Sequence, residues 1–484
     1  MIARSLLALL LLAFGAHAQG LPDLGDASAA TLSESQERTI GNRIMREVRV
    51  DPAYVEDPDV ADYIVSLGNR LLSAADSPRR ELSFFVIQDE AVNAFALVGG
   101  HIGVHTGLIL LTQNESELAG VMAHEIAHIL QRHQARTMAG QSRAAWASLA
   151  ALAVAILASR GGSQGSQVSE AAVASAGALQ MQNLLDYTRE HEREADRVGI
   201  TMLERAGYDA RGMQSFFERM LRANRLNEFK GAPSYLRTHP LTTERIADIQ
   251  DRVPASARMV PDSFEYRLAR AKLRAATGSS VETIAYFRAS LAEKEVLRPR
   301  EEVFGLALAQ RRARDFDGAW ETLAALRTPG SARHPAFEAL AADLLSEQGK
   351  LDEALATYRR ALAVSPSHRG LTYGYLTMLL NAGRHEEVLT FLDQRLRTQQ
   401  EDARLYELQA RAFAAAGRRI AQHRSQAEAY YRRGNLSAAV EQLEIAVKVR
   451  GSDFYEVSSA ESRLRELRAQ LEIEKKAEKA LKIS

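Results

Sequence analysis

The chain has 484 residues, too many for one ordinary domain, and 46% hydrophobic with 25% charged residues is the composition of a globular protein. Lys+Arg and Asp+Glu are both 61, so the formal net charge is zero and the basic excess of a nucleic-acid binder is absent. There is no cysteine, which excludes disulfides, thiolate metal centres, cysteine nucleophiles and a lipid-bearing cysteine; any metal must be held by His and carboxylate.

The N-terminus reads as a secretory signal. Arg4 is followed by an apolar run from Leu6 to Phe14, and Ala16-His17-Ala18 has the small-x-small form of a cleavage site, so cleavage is expected after Ala18. The run is short of the ~20 apolar residues that span a bilayer. Residues 35–75 carry helical periodicity through Ile44, Val48, Val60, Tyr63, Ile64, Leu67 and Leu71. Leu82–Ile87 is a short β-rich run, and His101–Leu111 is a second, entered through Gly99-Gly100. Glu115–Met138 reads as one long helix with Asn114 as N-cap and Glu117 three residues later, the spacing of a capping box. Residues 144–158 are nearly all apolar and too few to span a bilayer; they are expected to pack as a helical hairpin over the site, before a Gly/Ser/Gln linker at 161–169. Leu184–Ala206 is a further helix, with Gly207 at its C′ position.

Beyond about residue 262 a repeat begins. Gly349-Lys-Leu-Asp-Glu-Ala354, then Tyr358, Ala361, Leu362 and Pro366, has the form of the second half of a tetratricopeptide repeat, and Gly383 and Gly417 follow at the 34-residue period of that unit. Arg314 and Gly278 occupy the same slot upstream, and Gly434 opens a further copy offset by half a repeat. Such helix pairs stack into a solenoid with a concave groove that binds partners.

His124-Glu125-Ile126-Ala127-His128 lies inside the helix that starts near Glu115. Positions four apart share a face, so two imidazoles can grip one zinc ion while Glu125 acts on a water. Val121, Met122, Ile126, Ile129 and Leu130 mark the segment as buried, where polar groups need partners. A third ligand must lie elsewhere. A metzincin would need glycine at 131 and histidine at 134, where the chain has Gln131 and Gln134, so a carboxylate on a later helix remains. Glu192 and Asp196 are four apart and share a face; Glu192 can bind the metal while Asp196 holds a ligand imidazole or aids proton transfer, with His191 and Glu194 as competitors. Asn93–His105 reads as an extended edge beside this helix, able to take substrate as an added strand, with Asn93, Phe95, Gly99 and Gly100 along it. His105, His133 and His334 have no partner pattern and read as structural or surface residues.

HExxH, the later E-x-x-A-D helix and the Asn93-Ala-Phe-Ala-Leu-Val-Gly-Gly-His-Ile segment together resemble the gluzincins that include the CAAX prenyl protease and the heat-shock protease HtpX. With the signal peptide and the repeat tail, nearly the whole chain is similar to the periplasmic members of that group that serve β-barrel assembly. The resemblance implies that Glu192 is the third zinc ligand. It also places Thr238-His239-Pro240-Leu241 and Arg245 near the site. Arg245 is then a candidate for stabilising an oxyanion. His239 is a candidate latch on the fourth zinc position, a transition-state donor, or a cap of the following helix. The family often has proline before the Gly-Gly pair, where this chain has Val98.

The expectation is therefore an α+β, mostly α protein: a signal peptide at 1–18, a gluzincin-type domain with a small sheet at 19–258 and an α-solenoid at 262–470. It is expected to bind one Zn2+ per chain and to work in the periplasm of a Gram-negative bacterium, without a stable transmembrane anchor after signal removal and without nucleic acid. The resemblance implies two kinds of partner: unfolded or stalled outer-membrane β-barrel proteins, and the outer-membrane assembly machinery through the repeats. It implies assistance to barrel assembly and degradation of failed products. The rival reading is a chaperone or binding scaffold in which proteolysis is minor.

Overall fold

The structure, a computed structural model, describes residues 33–76, 81–137, 189–225, 234–253, 258–293, 299–328, 333–449 and 454–482. The signal segment and the apolar 144–158 stretch with its linker lie outside the described residues. Among those residues no helix is long and apolar enough to cross a membrane.

The helix Glu115–Leu130 is the centre of the N-terminal half, buried continuously from Glu115 to His128. It starts as its sequence requires: the Asn114 side chain accepts the Glu117 N–H at 3.0 Å. The Glu117 carboxylate reaches back one residue further than a capping box, to the Gln113 N–H at 2.7 Å, and pairs with Arg219. Helices Pro58–Ser73, Arg189–Arg205 and Arg211–Arg225 pack around it. Gly120 and Gly199 make that packing close, since a Cβ on Gly120 would lie 2.9 Å from the Met213 Cα and one on Gly199 3.2 Å from the His124 backbone nitrogen.

The helix does not run on to Met138 as its periodicity suggests. It stops at Leu130, Arg132 takes the left-handed conformation at φ 51°, and a separate short helix spans His133–Thr137. The Arg132 guanidinium is held there by Glu37 at 2.7 Å.

Three strands cover one side: β1 (Ser83–Ile87), β2 (Ala94–Leu97) and β3 (His101–His105), in the order β1-β3-β2. β1 is parallel to β3, and β2 is antiparallel to it with Phe95 opposite Gly103. Only β2 of the 93–105 segment is an edge; β3 is the central strand. The β-rich run expected over His101–Leu111 ends at His105, and Thr106–Leu111 is helical. The cause is tertiary: the Thr106 hydroxyl and the Gly107 N–H both bond to the Asp89 carbonyl, at 3.0 and 2.8 Å, and turn the chain.

From Phe264 to Lys482 the described chain is helical. Successive helices pair across tight turns at Gly278, Arg314, Gly349, Gly383 and Gly417, all at φ between 63° and 78°. These are the slots that the sequence period marked, so the one non-glycine member adopts the same conformation. Gly434 (φ 79°) turns Arg419–Arg432 into Leu436–Ala446, the junction between pairs, which accounts for its half-repeat offset.

The repeats are seated on the N-terminal half. Tyr266, Ala269 and Leu273 belong to the same apolar core as Leu67, Leu118 and Phe216. Charged contacts continue the joint, with Lys272 on Asp57 at 2.7 Å and His368 on Asp59 at 3.0 Å. The last helix returns to the first, where Arg46 meets Glu474 and Glu478.

Candidate metallopeptidase site

Four spaced residues from three segments converge. His124 and His128 project from one face of the central helix with their Nε2 atoms 2.9 Å apart. Glu192, from Arg189–Arg205, lies 3.5 Å from His124 Nε2 and 3.3 Å from His128 Nε2. His239 follows the short helix Ser234–Thr238; its Nδ1 is 3.1 Å from Glu192 and 3.4 Å from His124 Nε2. One ligand atom from each of these four buried residues lies within 4.8 Å of the other three.

Glu125 sits beside this set, fully buried, 3.4 Å from His239 Nε2 and faced by the backbone N–H of Ala96 on β2. Asp196, one turn beyond Glu192, reaches the other nitrogen of His124 at 2.9 Å. Arg245 enters from helix Thr243–Arg252, whose N-cap Thr242 accepts its N–H. Its Nε and Nη2 each donate to Asp196 at 2.8 Å, while Nη1 reaches Glu192 and the Pro240 carbonyl at 2.8 Å. All three nitrogens are thus engaged, and Arg245 bridges two carboxylates, Asp196 and Glu192. Tyr235 stacks on the His239 ring at 4.8 Å and ties its segment to the Val92 carbonyl through its own N–H.

The donor chemistry suits a cation. Glu192 and Asp196 face the Arg245 guanidinium and the rings of His124 and His239 in a dry interior, where charges need partners. Burial raises the pKa of Glu192, yet the charge of His239 and bonds from His124 and His128 outweigh it and hold the carboxyl well below its ordinary value. Burial works against a charged His124 as well, but its bonds to Asp196 and Glu192 push its pKa up to about 9. Burial drives His128 down, and it raises Glu125 despite the opposing charges of His239 and His124. In a neutral His124 whose Nδ1 donates to Asp196, Nε2 presents a lone pair toward the other donors, which is what a divalent cation requires in exchange for the ring's second proton. The residues present therefore fit a metal ion.

The remaining candidates lie at the rim. Asn93 precedes β2, and its Oδ1 is buried with no hydrogen-bond partner among the described residues. The half-buried Phe95 packs against Phe85 and His105, away from the donor set. Gly99 and Gly100 form the β2–β3 turn at φ 87° and 90° and line a cleft of about 340 Å³ with Leu97, His128, Arg132 and Gln134. Sequence reasoning missed Gln134, which donates to the Ala96 carbonyl at 2.6 Å on the outer edge of β2. It also missed His133, which is fully buried against His128. His191 and Glu194, the rivals for third ligand, surround His133 and lie outside the donor set.

Fold and donor set are those of a metallopeptidase. Residues 58–253 match Peptidase family M48, and residues 345–412 match a tetratricopeptide repeat family. The chain is 33% identical over 444 residues to the "Beta-barrel assembly-enhancing protease" of Escherichia coli, covering 90% of this chain and 88% of that protein. It is 38% identical over 310 residues to the "Putative beta-barrel assembly-enhancing protease" of Vibrio cholerae, covering 62% and 61%. It is also 29% identical over 192 residues to the "Mitochondrial metalloendopeptidase OMA1" of Schizosaccharomyces pombe, covering 40% and 52%. The chain belongs to the β-barrel assembly-enhancing protease family of M48 metallopeptidases.

Proposed function

We propose that this metallopeptidase is a zinc-dependent endopeptidase of the periplasm, acting in outer-membrane protein assembly and quality control. The single observation that carries the chemistry is the convergence of His124, His128, Glu192 and His239 beside a buried, unclamped Glu125. His124, His128 and Glu192 hold one zinc ion. A zinc ion there would supply Lewis acidity toward the scissile carbonyl and would lower the pKa of a water to roughly 7.

Glu125 takes the proton of the attacking water and delivers it to the leaving amine. Asp196 holds the Nδ1–H of His124 and keeps the opposite nitrogen turned toward the metal. Arg245 fixes Asp196 and Glu192 relative to each other. The outer edge of β2, between Asn93 and the Gly99-Gly100 turn, aligns the substrate backbone as an added strand once Gln134 gives up the Ala96 carbonyl. His239 acts as a latch: it serves as a fourth donor in the resting protein and must leave for a water to enter.

The metallopeptidase unit is assigned to residues 19–258 and the repeats to 262–470. The relatives called β-barrel assembly-enhancing proteases support β-barrel proteins as clients. The proposed role is to assist them while assembly proceeds and to degrade them when it fails. The repeats supply the groove that docks the assembly machinery.

The test is metal analysis together with digestion of an unfolded outer-membrane β-barrel protein. Zinc at one per chain is expected in the wild type and in Glu125→Gln. Turnover should fall about 10²–10⁴-fold in that variant, since it removes the general base. A zinc-loaded Glu125→Gln protein that digests as fast as wild type would overturn the reading. Barrel assembly supported equally well by that variant would favour the scaffold role over proteolysis.

A further inference from the structure

Each imidazole in the metal set has a second nitrogen, and its partner decides which nitrogen carries the proton. For His124 that partner is Asp196. For His128 it is another imidazole: His133 Nδ1 lies 2.9 Å from His128 Nδ1, and His133 Nε2 lies 3.1 Å from Glu194. Glu194 is itself gripped by Arg136 at 2.8 Å. The ring of His191 stacks on His133 at 4.4 Å, with planes 13° apart.

The proton positions follow in sequence. An ionised carboxylate only accepts, so Glu194 requires the proton of a neutral His133 on Nε2. His133 Nδ1 is then an acceptor, and the facing Nδ1 of His128 must be the donor. His128 Nε2 is left with its lone pair, directed at His124, Glu192 and His239.

We propose that His133, held by Glu194, is a positioning residue for the metal centre, fixing the tautomer and tilt of His128 as Asp196 does for His124. The two carboxylates stand two residues apart on helix Arg189–Arg205, one acting directly and the other through a second ring. The backbone is shaped for this contact. In an unbroken helix, a residue five positions on points about 140° round the axis, away from His128. The left-handed Arg132 ends the helix and turns His133 back under it.

This inference rests on the metal reading above, and zinc binding by the wild type tests that reading separately. The measurements are the zinc dissociation constant by chelator competition, the visible spectrum of the cobalt-substituted protein, and the melting temperature of the metal-free protein. His133→Ala should weaken zinc binding about 10–100-fold and shift the cobalt spectrum. His133→Asn, whose oxygen accepts at the place of Nδ1, should recover most of the loss. Glu194→Ala, at a partly exposed position, should weaken zinc binding while leaving the metal-free melting temperature unchanged. Wild-type affinity and spectrum in His133→Ala and Glu194→Ala would overturn the proposal. So would equal losses in His133→Ala and His133→Asn accompanied by lower metal-free stability, since His133 would then be packing alone.

Discussion

At the scale of residues, the proposed function separates groups that would meet the substrate and water from groups that hold other groups in place. Asp196 is of the second kind, tied to His124 on one side and Arg245 on the other. Asp196→Asn keeps an acceptor for His124 but removes the charge that offsets Arg245. It should weaken zinc binding about 10–100-fold, read by chelator competition. His239 touches both Glu192 and Glu125. As a latch, its loss in His239→Ala should raise cleavage of an unfolded substrate and expose the protein to self-digestion. A silent, zinc-loaded variant would instead make His239 a donor to the transition state. Glu125 and His128 were legible as a pair because HExxH sits within an apolar helix. The clamp role of Arg245 was not legible, because no local spacing links residue 245 to 192 and 196.

At the scale of elements, turns carry much of the information. The repeat glycines stand where the chain must adopt positive φ, and their 34-residue spacing makes the solenoid readable from sequence. Gly349 isolates that effect, since an added Cβ would meet nothing within 4 Å. Gly349→Ala should therefore destabilise the protein by about 1 kcal/mol through backbone strain alone, seen as a lower melting temperature. An unchanged melt would show that this turn relaxes at no cost. The break at Arg132 is the opposite case. Its residue type favours continuing the helix, so periodicity ran on to Met138; the turn is imposed by the Glu37 contact and the packing around His133. The end of β3 at His105 has the same origin, because Asp89 captures Thr106 and Gly107 from a distant loop.

At the scale of the whole molecule, Asp59 joins peptidase and repeats through Lys272 and His368. Burial raises its pKa, yet the bond from His368 and the charge of Lys272 outweigh it and hold the carboxyl well below its ordinary value. A carboxylate with a depressed folded pKa contributes stability that is fully present above its unfolded value of about 3.9 and is lost as pH falls below it. Melting temperature should accordingly drop steeply below about pH 4. Asp59→Asn should melt lower at neutral pH and show a shallower acid slope; parallel pH curves for the two proteins would remove Asp59 from the joint. The same residue gave no signal in the sequence, where Asp59 reads as a first-turn helix acid.

The sequence by itself determined the chemistry available and the architecture around it. Without cysteine the ligands had to be His and carboxylate; a four-residue spacing put His124 and His128 on one helix face and Glu192 and Asp196 on another; and a glycine period built the solenoid. These are short-range properties, written in helix geometry and backbone conformation, which neighbours along the chain dictate. Tertiary structure alone decided that Arg245 binds two carboxylates, that Gln134 occupies the edge of β2 and that His133 turns back to His128. Each depends on where separate segments pack in a buried, low-dielectric interior, where a charged or polar side chain must find a partner and no one-dimensional pattern names it.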